Sequence, residues 1–168
     1  LAANALSEAR GVAAQLRPAR IEEIGLGAAL ANLARDAGVA VQVRFDPAIL
    51  PAGILDPDRE IDLYRIVQEA LSNAARHSGA RRIWIDATVT TTELALEVGD
   101  NGRGIDPARK DRGLGLAGMD ERATILAARL ELRTHPGEGT VIRLVMRLGP
   151  EPAPAVRRTA LSGASAPI

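Results

Sequence analysis

The chain has no cysteine among its 168 residues. That excludes disulfide bonds and any metal site built on thiolates. Aromatic residues are almost as scarce, at 2%, so Leu, Ile, Val and Ala must fill whatever core forms. An excess of one charge is missing too. Twenty-one basic and 21 acidic side chains cancel, which argues against a broad nucleic-acid or membrane-binding surface. No apolar run approaches the roughly 20 residues of a membrane span, and no signal peptide is visible. What remains is an ordinary soluble balance, 46% hydrophobic and 25% charged, long enough for one domain with a single sizeable core. A helical pattern is already under way at Leu1, so the expectation is a piece cut from a longer protein.

Ala2, Leu6, Ala9, Ala13 and Leu16 recur at steps of four and three, the spacing of a helix-bundle seam, and Pro18 ends the run. Ile21, Ile24, Leu26, Leu30 and Leu33 predict a second helix stopping near Gly38. Val39, Val41, Val43 and Phe45 alternate as a strand does. After a Pro/Gly-rich connector, Asp56 is a plausible N-cap with Pro57 at the first helical position, and Asp58 and Glu60 favour the same end. This helix should run to about Ser78, with Gly79 as its stop. Strands are expected over 82–90 and 93–98, then a glycine-rich segment, a helix over 116–128, and strands over 130–134 and 140–146 joined at His135-Pro136-Gly137. Strands linked by short turns pair antiparallel, so the fold class is α+β. From Gly149 onward the composition reads as a disordered tail.

Gly113 to Gly118 reads GLGLAG, which fits the G-x-G-x-x-G of dinucleotide-binding turns. That fingerprint needs a buried strand running into its first glycine. Here DPARKDR precedes it, and the context fails. The more informative stretch is upstream. EVGDNGRG closes a strand with Asp100 at its end, followed by Gly102 and Gly104. Two glycine clusters thus flank the basic stretch 107–112, where backbone amides can approach phosphate oxygens and a helix N-terminus favours anions. On the preceding helix, Glu69 and Asn73 lie four apart with Arg76 and His77 one turn on. A solvated outer face is the plain account of that stripe. An Asn carbonyl on Mg²⁺ with basic groups on phosphates is the alternative, because Mg²⁺ takes oxygen ligands and shares them with substrate phosphates. Last, GEGT puts Thr140 at the entry to a strand.

Together these segments resemble the Bergerat ATP-binding fold shared by sensor histidine kinases, gyrase, Hsp90 and MutL. QEALSNAARH is similar to its N box, DNGRG to its first glycine box, GLGLAGMDERA to its second, and GEGT to its Gly-Thr element. The resemblance covers about residues 39–148. LRPARIEEIGLGAALANLA further resembles the end of the dimerisation helices and linker of histidine kinases of the nitrate-sensor class, with HisKA_3-type helices. GLGLAGMDERA is close to that class's second glycine box. The implied architecture is a two-layer sandwich, a mixed and mostly antiparallel sheet against about three helices. Residues 1–37 would belong to the dimerisation region and linker, 38–148 to the ATP-binding domain, and 149–168 to the tail.

The resemblance also implies roles. Asp100 would accept a hydrogen bond from the adenine amine, where guanine would present an acceptor, and Thr140 would support that contact. Asn73 would hold Mg²⁺, and Arg76 and His77 would lie near the phosphates of ATP. Gly102 and Gly104 would let backbone approach the nucleotide, and Gly113, Leu114, Gly115 and Gly118 would shape the lid. Glu69 would polarise a water or the acceptor imidazole. Arg109, Lys110 and Arg112 could reach the phosphates or remain solvated. The implied partners are the protein's own dimerisation domain, as a homodimer, and a response regulator of the LuxR/NarL type. Nucleic acid and direct membrane contact are not expected, and the location is cytoplasmic. Neither His77, inside the nucleotide motif, nor His135, in a turn before proline, is a credible phosphoryl acceptor, so the fragment should bind ATP without autophosphorylating. A serine kinase of the anti-sigma-factor type and a non-enzymatic nucleotide sensor are the competing readings.

Overall fold

A computed structural model describes residues 21–105 and 114–149. The expected helical seam from Ala2 to Leu16, Gly113 with the basic residues Arg109, Lys110 and Arg112, and the tail beyond Gly149 lie outside the described residues.

Among the described residues four helices and five strands follow one another: α1 (Ile21–Ile24), α2 (Leu26–Arg35), β1 (Val41–Val43), α3 (Pro57–His77), β2 (Ile83–Val89), β3 (Glu93–Asp100), α4 (Leu114–Ile125), β4 (Arg129–His135) and β5 (Gly139–Arg147), with a short 3₁₀ turn at Pro47–Ile49. The sheet order is β1-β2-β3-β5-β4. Among the described strands β1 pairs in parallel with β2, and the other pairs are antiparallel. Helices cover one face of the sheet, the expected mixed two-layer α+β sandwich. No described helix is long and apolar enough to cross a membrane.

Local chemistry explains most boundaries. Asp56 caps α3 by accepting the Arg59 N–H at 3.1 Å, with Pro57 at the first helical position. At the other end Ser78 is the cap, and Gly79 follows at φ +61°. Three expectations need correction. The helix expected over 21–37 is broken, because Gly25 takes φ +83° and sits so close to Pro51 and Ala52 that no side chain fits. The helix expected to reach Ala128 ends at Ile125. Ala127, at φ +50°, closes a Schellman arrangement in which the Ala128 N–H donates to the Ala123 carbonyl. Without a glycine, nothing in the local pattern announces that stop. The first strand is also shorter than its alternation suggested: residues 41–43 pair in register with β2, and the Arg44 N–H adds one last bond to the Ile85 carbonyl.

One core joins all layers. Leu26 and Leu30 of α2, Leu63 and Val67 of α3, Ile85, Leu94 and Leu96 of the sheet, and Met119 of α4 are buried in the same cluster. Leu, Ile, Val, Ala and Met supply it throughout, as the scarcity of aromatics requires. At close packing, truncating such a residue to Ala costs about 2–5 kcal/mol.

Candidate functional site

Alternation along β3 points Leu94, Leu96 and Val98 toward the helices, and the same parity carries Asp100 to that face at 4% exposure. The pairing register sets Asp100 between Ile83 and Thr140, and Thr140 beside Thr134. The last inward row of the sheet therefore turns polar at Asp100, Thr140 and Thr134, beside Ile83, where the rows before it on β3 and β5 are apolar. The Thr134 and Thr140 hydroxyls lie 3.1 Å apart, and Thr134 Oγ1 accepts the Ile105 N–H at 2.8 Å.

Asp100 Oδ1 accepts the Gly102 N–H at 2.8 Å. Burial pushes its carboxyl above the usual aspartate range, and the N–H groups of Gly102 and Thr140 offset only part of that. Among the described residues no cation forms an ion pair with it. A desolvated carboxylate with unfilled acceptor capacity is suited to an external donor.

The space that donor would occupy is a cavity of about 520 Å³. Ala70, Asn73, Ala74 and His77 form one wall, at the i, i+3, i+4, i+7 spacing of a single face of α3. Val98, Gly99 and Asp100 of β3, with Thr140 and Ile142 of β5, form another. Gly104, Ile105 and the first turn of α4, at Gly115 and Leu116, complete it. The walls are mostly apolar with a few polar groups, the usual make-up of a small-molecule site.

The structure thus brings Asn73, His77, Asp100, Gly104, Gly115 and Thr140 together. The other expected residues sit around them. Glu69 does not line the cavity, but its carboxylate occupies the space a Cβ on Gly115 would need, so it lies against the N-terminal turn of α4, where negative charge is favoured. Arg76 is exposed on the last turn of α3. Gly102 is buried against the Ser78 backbone, leaving no room for a Cβ. Gly104, at φ +71°, sits against the His135 carbonyl. The glycine demand at both positions therefore comes from the protein's own backbone. Gly118 carries the carbonyl that accepts from Arg122 Nη1 at 3.0 Å, and Leu114 opens α4.

Two residues missed in the sequence hold the Asp100 loop in place. Asn101 Oδ1 accepts the N–H groups of Arg81 (3.1 Å) and Arg82 (2.8 Å), and its own N–H donates to the Arg82 carbonyl. Ser78 is buried, donates through Oγ to the Ala74 carbonyl at 2.6 Å, and accepts the Arg103 N–H at 2.9 Å on its carbonyl. The only hint in the sequence is that both are Asn/Ser types next to glycine, which favour such local bonds.

The donor set bears on which cation fits. Among the described residues no three His, Cys, Asp or Glu side chains gather as a metal cluster, so these residues offer no cage for Ca²⁺ or Zn²⁺. One half-buried amide, Asn73, faces the cavity and makes no hydrogen bond within the described residues. A cation there would take one protein oxygen and draw the rest from water and ligand, the habit of Mg²⁺.

Known proteins share this fold. The family model for histidine kinase-, DNA gyrase B- and HSP90-like ATPases matches residues 58–150. The signal transduction histidine-protein kinase/phosphatase DegS of Brevibacillus brevis is 32% identical over 141 residues, 83% of this chain and 36% of that protein. The chain thus spans about a third of the relative it matches. The histidine kinase domain of the Erythrobacter litoralis EL346 blue-light activated kinase superposes with TM-score 0.61 at 22% identity, over 76% of this chain and 63% of the other. The Acinetobacter baumannii histidine kinase AdeS does so with TM-score 0.51 at 18% identity, over 74% and 62%. The two structural likenesses establish the fold. With the motif-bearing segments all inside the matched span, the chain belongs to the histidine kinase-, DNA gyrase B- and HSP90-like ATPase family, as an ATPase domain of the sensor histidine kinase kind.

Proposed function

We propose that this chain is the catalytic, ATP-binding part of a two-component sensor histidine kinase, which passes the γ-phosphoryl group of ATP to a histidine on its own dimerisation helices. The observation that carries the reading is Asp100, a buried carboxylate with no cationic partner among the described residues, at the wall of an apolar cavity. Adenine offers it an amine donor, and guanine would set an acceptor against it, leaving both groups unsatisfied at a cost of about 1–3 kcal/mol each. Thr140, beside Asp100 in the register, supports the same edge of the base. Val98, Ile142 and Leu116 provide apolar surface for the ring.

Asn73 lies on the α3 wall one turn before His77, so the triphosphate would run from Asp100 toward the C-terminal turn of α3. Asn73 would hold Mg²⁺, which neutralises charge between phosphates when bound. His77 and Arg76 would steady the phosphates, and Glu69, against the first turn of α4, would orient the acceptor imidazole or a water. Gly113, Leu114, Gly115 and Gly118 would shape the lid. Phosphoryl transfer asks a protein chiefly for position and charge compensation, and this set of groups supplies both. Residues 1–37 are assigned to the dimerisation region and linker, which would make the parent a homodimer on the cytoplasmic side. Its relay partner would be a response regulator of the LuxR/NarL type.

Two measurements test this. The chain should be stabilised in a thermal melt by Mg-ATP, far less by Mg-GTP and not by NAD. A protein indifferent to ATP ends the proposal. The parent protein incubated with ATP should carry acid-labile phosphohistidine. Acid-stable phosphoserine on a partner would instead reassign the chain to the serine kinases of this fold.

A further inference from the structure

The sole tryptophan of the chain lies outside the cavity, on the reverse face of the sheet. Trp84 is the register partner of Gly99, the residue just before Asp100. The indole fills the space where a Gly99 side chain would stand, so the ring rests on the bare backbone there. Gly99 also lines the cavity. At this point the nucleotide wall is one strand thick, with ring on one side and ligand space on the other.

Trp84 is itself held. The Arg44 guanidinium carbon stacks 4.7 Å from the ring centroid, within cation–π range. Arg44 is fixed in turn by the Gln42 side chain at 3.0 Å and by Asp86 at 3.6 Å. The indole N–H donates to Glu97 Oε1 at 3.4 Å. A glycine inside a strand loosens it, because it brings no side chain to pack, and an aromatic lying across it from the neighbouring strand restores the lost contact.

Resting on the nucleotide reading above, we propose that Trp84, clamped by Arg44, is a positioning residue for base recognition. It presses on Gly99 from behind and fixes the backbone that carries Asp100 against the purine. Glycine at 99 keeps the wall flat for the nucleotide, and Trp84 supplies the stiffness that glycine gives up.

The test uses the full 168-residue chain, with ATP and GTP as probes. Saturating ATP should change Trp84 emission, whereas GTP at the same concentration should not. Trp84→Val keeps strand propensity but removes the planar support. Affinity for ATP should fall about tenfold while the weak GTP affinity stays put, and Trp84→Phe should recover the wild-type value to within about threefold. A purely structural residue would lower the melting temperature and leave the ATP-to-GTP ratio of the folded protein unchanged. A folded Trp84→Val with that ratio intact overturns the proposal, as does a silent Trp84 emission at saturation. If Trp84→Val does not fold, Arg44→Ala decides: a ratio narrowed about threefold supports the clamp, and an unchanged ratio removes it. A wild-type chain without preference for ATP would instead sink the nucleotide reading itself.

Discussion

Helix α3 has a buried carboxylate near each end, and the two are built for different purposes. Glu60, in its first turn, is 2% exposed, and Asp100, beyond its last turn, is 4% exposed. Burial pushes both carboxyls above their ordinary values, and backbone N–H groups only partly restore them. Glu60 Oε1 accepts the Gly53 N–H at 3.1 Å and lies 3.5 Å from that of Leu55, so it staples the connector before α3 onto the helix. Asp100 takes the Gly102 N–H but borders a cavity. A buried acid surrounded by its own backbone stabilises a loop. One that borders empty space awaits a ligand. Burial and titration alone do not separate the two roles, and the neighbouring volume does.

The comparison breaks most sharply on Asp100→Asn. The amide keeps an acceptor for Gly102 but sets an N–H₂ where adenine presents its own donor. ATP affinity should drop by about 100-fold or more, near 3 kcal/mol, the scale of a charged hydrogen bond lost in a buried site. Stability at neutral pH should not fall, because the substitution removes a desolvated charge. Isothermal titration paired with urea unfolding reads both quantities. An Asn variant that still binds ATP tightly and selectively would contradict the assignment of Asp100.

Glu60→Ala should show the reverse pattern. It leaves the Gly53 and Leu55 N–H groups of a part-buried loop without their acceptor, at about 1–3 kcal/mol. That loop also packs against the break at Gly25. The loss should appear in the unfolding free energy, while ATP affinity per folded molecule stays within about twofold. If nucleotide binding fell more than stability, the two acids would not be functionally distinct.

Acid titration sharpens the same contrast. Both folded-state values lie above the ordinary 3.8 for Asp100 and 4.5 for Glu60. The native state therefore retains protons that the unfolded chain has released. Their stabilising contribution is complete below those ordinary values and is lost as pH rises through the raised ones. Half-buried Glu131 slopes the other way, because a hydrogen bond from Arg133 and the nearby charge of Arg129 hold its carboxyl low. The signal is thus a difference from wild type: Asp100→Asn and Glu60→Gln should each flatten the decline above the ordinary values. Saturating ATP should flatten only the Asp100 part. Chemical denaturation at pH steps from 4 to 8 measures this.

The same contrast shows where the sequence is legible. Asp100 could be read because it stands at the end of an alternating strand and before a Gly-x-Gly pattern, two local signals that agree. Asn73 and Thr140 are legible only through the resemblance of their segments to the N box and the Gly-Thr element, because spacing alone fits a solvated helix face and an ordinary turn equally well. Glu60 reads from sequence only as a helix N-terminal acid, because its partners belong to a connector whose path depends on tertiary packing. Asn101, Ser78 and Trp84 act on segments that are neighbours in space but not in sequence, so no periodicity marks them. The glycines are a mixed case. Their positions were legible, yet Gly102 and Gly104 are set against Ser78 and His135 backbone, a demand visible only once strand and helix ends are placed. The early end of α4 belongs here too, since an alanine at positive φ leaves no trace in composition.

The smallest expected effect tests how far the polar row beyond Asp100 belongs to the cavity and not to the fold. Thr134 accepts the Ile105 N–H and lies 3.2 Å from the Gly139 carbonyl and 3.1 Å from the Thr140 hydroxyl. Thr134→Val keeps the shape and removes these bonds, at about 1 kcal/mol. Gly139 and the loop at Ile105 bracket the backbone that carries Asp100 and Thr140. If this row serves the ligand as Asp100 does, the loss should appear as an ATP affinity weakened several-fold with little change in unfolding midpoint. If it serves the fold as Glu60 does, the midpoint should move and the affinity stay. The placement of Ile105 and Thr140 on the cavity wall favours the first outcome, because a wall whose backbone bonds loosen admits more than one ligand pose while the core behind it, from Val98 back to Leu94, stays packed.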